Sequence, residues 1–200
     1  MLALVLFLIL LPPHEIARHE PQRFHVEHIT VFATYDAAYA LDLANGLLPP
    51  DKEVTEADVS CVVNELRSSG LFADIKVEWT EQGKDTRKLA LHCESQVGRE
   101  AFLLSGIVPV GMPEIPRQQF IKQMEAKQIK PGSSLLYSSY NDLNAKLDDW
   151  FRESASADAV KKYGETAWIT YRPTGPGSIE VRVMPGRPKC TDTPTVKPAR

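Results

Sequence analysis

"NELRSSGLFADIKVEW", residues 64–79, passes from one backbone periodicity to another with hardly a loop between them. Just upstream and into it, Val59, Val62, Val63 and Leu66 recur at i, i+3, i+4 and i+7, the stripe of a helix that buries one face. Thr55, with Asp58 three residues on, predicts the helix start as a capping box with Asp in place of the usual Glu or Gln. Gly70 stands where a helix end needs a residue free to take positive φ. Leu71 and Phe72 follow as apolar residues able to fold back on the last turn. Ile75, Val77 and Trp79 then alternate with Lys76 and Glu78, as in a strand with one buried face. A helix end pinned directly onto the sheet it covers accounts for the abrupt change.

The same punctuation organises the rest of the chain. In "FHVEHITVFAT", residues 24–34, Ile29, Val31 and Ala33 alternate, while Phe24 and Val26 fall in the opposite register and predict a bulge or a late start. Asp36 is expected to cap a short helix that ends at Asn45-Gly46 with a left-handed residue. After the polar turn "TEQGKDTR", Leu89, Leu91 and Cys93 alternate again. The order is strand, helix, helix, strand, strand.

The second half repeats that order. "AFLLSGIVPV" reads as a strand, Pro116 opens a helix carrying Phe120, Ile121 and Met124, and "IKPGSS" turns the chain. Leu143, Leu147, Trp150 and Phe151 lie at helical spacing, and "AWITYRPTGPGSIEVRVMP" is a hairpin around Gly-Pro-Gly. The expected fold is therefore α+β: two tandem β-α-α-β-β units, residues 24–95 and 101–185, each a three-stranded mixed sheet with two helices on one face. Residues 1–23 are expected to form an apolar signal-like segment and linker, and residues 186–200 a disordered tail.

Composition narrows the function classes. The chain has 23 basic and 26 acidic side chains and a formal net charge of −3, without the basic stripe that nucleic-acid binding needs. Residues 1–11 are unbroken apolar, too short to span a bilayer but fitting the apolar region of an export signal. No Lys or Arg precedes the run and no clear small-x-small site follows, so the signal is atypical or starts upstream. Cys61, Cys93 and Cys190 show neither CxxC spacing nor a histidine pattern suited to zinc. Cys61 lies about 150° from the centre of the helix stripe and points away from the sheet, whereas Cys93 shares the inward face with Leu89 and Leu91. That geometry argues against a bridge between those two.

Candidate catalytic groups fail on spacing. "HEIARH" places His14 and His19 at i and i+5, about 140° apart around a helix, unlike the i, i+4 pair of a zinc protease. His25, His28 and His92 read as isolated surface imidazoles. "TGPGS", residues 174–178, lacks the helix N-terminus and Lys of a phosphate loop. No cofactor, metal or catalytic residue is expected.

Two consecutive units of this order, the first with "RSSGLFADIKVEW" between its second helix and second strand, resemble POTRA (polypeptide-transport-associated) domains. These are the soluble modules in front of outer-membrane assembly and secretion barrels. The motif is Gly70-Leu71-Phe72, a small residue and an acid, then Ile75 and Val77. The second unit keeps an "IKPG" turn but has "RESASADAVKKYGE" where the Gly-aromatic junction would stand. No stretch after residue 185 offers barrel strands. The resemblance implies a non-enzymatic, exported scaffold of the periplasm, associated with the outer or inner membrane through a partner or its N-terminal segment. Its partners would be other envelope proteins, a barrel or a client polypeptide, and not nucleic acid. Asp74, Ile75, Lys76, Val77, Glu78 and Trp79 form the strand expected to accept an extended segment of such a partner. Two alternatives stand beside this: an envelope or division protein with one such unit and an N-terminal membrane anchor, and a small hydrolytic enzyme using the histidines.

Overall fold

The computed structural model describes residues 21–190 apart from 97–100, 113–114, 137–139, 156–159, 163, 165, 187 and 189. The apolar run, most of the linker after it, the joint between the units and the tail beyond residue 190 lie outside the described residues. The first unit comprises β1 (Phe24–Ala33), α1 (Ala37–Leu47), β2 (Glu53–Val54), α2 (Glu56–Ser68), β3 (Phe72–Glu81) and β4 (Thr86–Ser95). The second comprises β5 (Ala101–Pro109), α3 (Arg117–Ala126), β6 (Ser134–Leu136), α4 (Tyr140–Ser154), β7 (Ala167–Gly175) and β8 (Ser178–Pro185).

Each unit builds its own mixed sheet, in the orders β2-β1-β4-β3 and β6-β5-β8-β7. The parallel pairs β1/β4 and β5/β8 need a crossover, which the helices supply, while the closing hairpins β3/β4 and β7/β8 are antiparallel. The three expected strands per sheet gain a short fourth, Glu53–Val54 or Ser134–Leu136. At two and three residues these are too short to show a period. The register of β1 against β4 shifts between Val26 and His28, the bulge that the change of phase in "FHVEH" predicts.

Helix α2 begins as its sequence dictates. The Thr55 N–H donates to the Asp58 carboxylate at 2.8 Å, and the Asp58 N–H donates to Thr55 Oγ1 at 3.4 Å. Its stripe of Val59, Val62, Val63 and Leu66 is buried in a core that also holds Ile29, Ile75, Leu89 and Leu91. Gly70 ends it with φ of +73°, and Leu71 and Phe72 are buried at once. The buried Ser69 supports the junction: its hydroxyl donates to Leu66 O at 2.6 Å and accepts from the Leu71 N–H at 3.2 Å.

Two local expectations for α1 are corrected. Asp36 precedes the helix, but with φ of 56° and no side-chain cap bond. Its carboxyl is instead partly buried, and burial pushes its pKa up to about 7. Gly46 is not a left-handed cap, because the helix continues to Leu47. It is there for close approach: a Cβ at this position would lie 2.6 Å from the Trp168 ring of the second unit.

The units are joined along that face. The Tyr39 ring packs edge-on against Tyr140 and Tyr171, with centroids 5.5 and 4.8 Å apart. The Tyr140 hydroxyl donates to Asp42 Oδ2 at 3.0 Å, and Arg172 Nη2 meets Glu65 Oε2 at 2.7 Å. Cys61 is bonded to Cys190, and Cys93 is a buried free thiol whose pKa burial pushes up to about 11. Cys190 therefore ties the start of the segment read as a tail to α2 of the first unit.

Candidate functional site

Among the described residues no strand pairs with the outer side of β3, which ends its sheet. Which backbone groups face outward follows from the hairpin. The Gln82 N–H donates to Thr86 O at 3.0 Å, and β3 and β4 stay in one register from Glu81 back to Asp74. Antiparallel pairs alternate between hydrogen-bonded and non-bonded, so Thr80, Glu78 and Lys76 exchange bonds with β4. Ile75, Val77 and Trp79 then turn their N–H and C=O groups outward. An independent contact agrees: Arg67 Nη2 donates to the Ile75 carbonyl from outside the sheet at 3.4 Å.

The side chains of those same residues form one wall of a groove of about 450 Å³ between β3 and α2. Ile75, Val77 and Trp79 face Val59 and Val63, with Ser60, Asn64 and Arg67 along the helix rim. Trp79 is 36% exposed, a large apolar surface for a strand edge. The groove ends differ in charge. Arg67 lies by Ile75 and 4.0 Å from Asp74 Oδ1, while Glu56 lies at the Trp79 end, 3.6 Å from Arg87. Arg87 in turn covers the rings of Phe24 and Trp79 at 4.3 and 5.5 Å. Lys76 and Glu78 are exposed on the opposite face of the sheet.

Of the residues singled out from sequence, the strand from Asp74 to Trp79 is thus at a sheet edge, and Gly70, Leu71 and Phe72 set where that edge begins. The helical wall was not read from sequence. Its signal is the spacing of Ser60, Asn64 and Arg67 at i, i+4 and i+7, immediately beside the apolar stripe. The histidines are spread over the sheet: His25 is 3.9 Å from Glu53, and His92 stacks on Phe32 at 4.7 Å beside Glu78.

Chemically, the arrangement offers hydrogen-bond donors and acceptors in a row beside an apolar trough.

No family model and no curated protein matches the chain. Among solved structures it is similar to POTRA1-2 of the periplasmic domain of Omp85 from Anabaena, at TM-score 0.34 and 12% identity over 82% of this chain and 96% of that one. It is also similar to the N-terminal domain of Omp85 from Thermosynechococcus elongatus, at TM-score 0.31 and 13% identity, and to Haemophilus influenzae BamA POTRA3-5, at 0.31 and 14%. Each of these is matched over 82% of this chain, which spans 63% and 61% of their lengths. The fold described above rests on strand order and register within this chain, not on these superpositions.

Proposed function

We propose that the chain is a POTRA-type, non-enzymatic scaffold of the periplasm that binds extended segments of envelope proteins, clients or partner barrels, by strand addition at β3. The observation that carries this reading is the outward row of Ile75, Val77 and Trp79 backbone groups beside the α2 groove. A strand laid along β3 gains main-chain hydrogen bonds whatever its sequence, and every second side chain enters the trough. The Cys61–Cys190 bridge supports an oxidising compartment and hence export. The repeated topology favours two such units over one unit joined to something else.

Amide exchange on the intact chain tests the reading with a synthetic ten-residue peptide of alternating apolar and polar residues. Slowed exchange at Val77 and Trp79, with Lys76 and Glu78 already protected in the free protein, is the expected pattern. Unchanged exchange at Val77 with the peptide in excess would sink the proposal.

A further inference from the structure

The charges on β3 are self-complementary under a two-fold axis. Only odd-numbered residues from Ile75 to Trp79 present outward backbone groups, so two antiparallel copies of this edge can bond only with odd residues opposite odd. An axis through Val77 satisfies this. Val77 then meets Val77 of the second copy as a hydrogen-bonded pair, and Ile75 meets Trp79. Lys76 falls opposite Glu78 of the second copy, and Glu78 opposite Lys76, in the non-bonded pairs where cross-strand side chains approach closest. Moving the axis one residue is unfavourable either way. Centred on Lys76 it sets Lys76 against Lys76 and Asp74 against Glu78; centred on Glu78 it sets Glu78 against itself.

The groove side agrees independently. Arg67 stands at the Ile75 end and Glu56 at the Trp79 end, so the same antiparallel axis brings Arg67 of one copy to the Glu56 end of the other. Trp79, 36% exposed in the single chain, would be covered by Ile75 of the second copy.

We propose that, without a bound segment, β3 closes on a second copy of this chain in the register centred on Val77. The proposal rests on the reading of β3 as an edge that accepts an added strand, and it names the occupant of that edge at rest. Self-pairing and partner uptake then exclude each other. The dimer is weak and salt-sensitive, because it is held by one strand pair and exposed charges.

A charge swap tests it, by sedimentation of the intact chain over a concentration series at low salt. The wild type is expected to show a monomer–dimer equilibrium. Lys76→Glu alone and Glu78→Lys alone should each weaken it roughly tenfold, since each makes two symmetric pairs repulsive. The double variant K76E/E78K should restore it. Circular dichroism checks that each variant is folded. A wild type that stays monomeric throughout, or a dimer indifferent to the swap, would overturn the proposal. If the monomeric protein still shows Val77 amide protection with the alternating peptide, only self-pairing is wrong. If neither self-association nor protection occurs, strand addition at β3 falls as well.

Discussion

Strands β3 and β7 hold the same place in their sheets, each at the edge beyond the last strand of its unit, yet they are finished differently. Along β7 the register and the Gly186 N–H bond to Thr166 O place Ala167, Ile169, Tyr171 and Pro173 with their backbone groups outward. Part of this row is occupied. The Ala167 N–H donates to Asp148 Oδ1 at 3.0 Å, the Tyr171 carbonyl accepts from Arg172 Nη1 at 3.0 Å, and Pro173 has no N–H to offer. Helix α1 of the first unit lies against α4 and β7 through Tyr39, where α2 and β3 leave their groove open. The difference teaches that one fold repeated twice does not give two equivalent edges. The second unit's edge carries contacts that hold the pair together, and the first unit's edge is left unpaired among the described residues.

If the first unit closes β7, the bonds between the units should matter most to stability. The bridge from Cys61 to Cys190 spans 129 residues of sequence. Removing it with Cys61→Ser should lower unfolding free energy by about 3–5 kcal/mol, from the loop it no longer closes in the unfolded chain. Denaturant titration, with reduced wild type as the matched control, measures this. A midpoint unchanged by either treatment would mean that the units do not depend on the strap.

Proline scanning of β3 gives the next largest effect and separates the two sides of the strand. Lys76→Pro removes a bond into β4 and should cost about 3 kcal/mol. Val77→Pro removes only an outward donor, so it should change stability by less than about 1 kcal/mol while abolishing peptide protection at this edge. Lys76→Ala should leave peptide binding intact, because its side chain lies on the far face. Equal losses of stability for the two proline variants would show that the outward assignment is wrong.

Smaller still is the ion pair that fastens β7. Arg172→Ala leaves the Glu65 carboxylate without its 2.7 Å partner and frees the Tyr171 carbonyl. Both partners keep some access to water, so the expected cost is about 1–2 kcal/mol. Amide exchange at Thr170 and Arg172, which bond into β8, should quicken while that at Leu89 and Leu91 does not. A uniform change across both sheets would argue that the two units share one cooperative core.

Much of the fold was legible because its signals are local. The α2 stripe, the Thr55–Asp58 box and Gly70 each act within a turn or two, and together they set element order. The site was legible only in part. That β3 is the edge strand follows from the resemblance to a known order, but the direction of its donors depends on hairpin length and register, which alternation alone does not give. Gly46 and Cys190 failed to declare themselves for another reason. Their partners, Trp168 and Cys61, lie more than a hundred residues away, and a glycine needed for close approach looks the same in sequence as one needed for a turn. Asp36 reads as a cap because capping is what an isolated Asp before a helix usually does.

That residue supplies the finest test of the contrast between the two edges. Asp36 opens α1 beside Tyr39, and its charge bears on both Tyr39 and Tyr171, the contact that covers β7. Desolvation raises its folded pKa to about 7 from 3.8. The raised value sets the sign. Below 3.8 the carboxyl is protonated in both states and costs nothing. Between 3.8 and about 7 the unfolded chain ionises while the folded one resists, so stability falls as pH rises through this window and levels off above it. With water able to reach part of the group, the expected loss is about 1–2 kcal/mol. Asp36→Asn cannot ionise, so its unfolding free energy should lack this decline relative to wild type. The effect should also be local. Exchange at Thr170 should quicken between pH 4 and 7 in wild type, after correction for the intrinsic rate, while that at Glu78 should not. Parallel pH dependence of wild type and variant would show that Asp36 is ionised in the folded protein, and that the closed edge is held without regard to its charge.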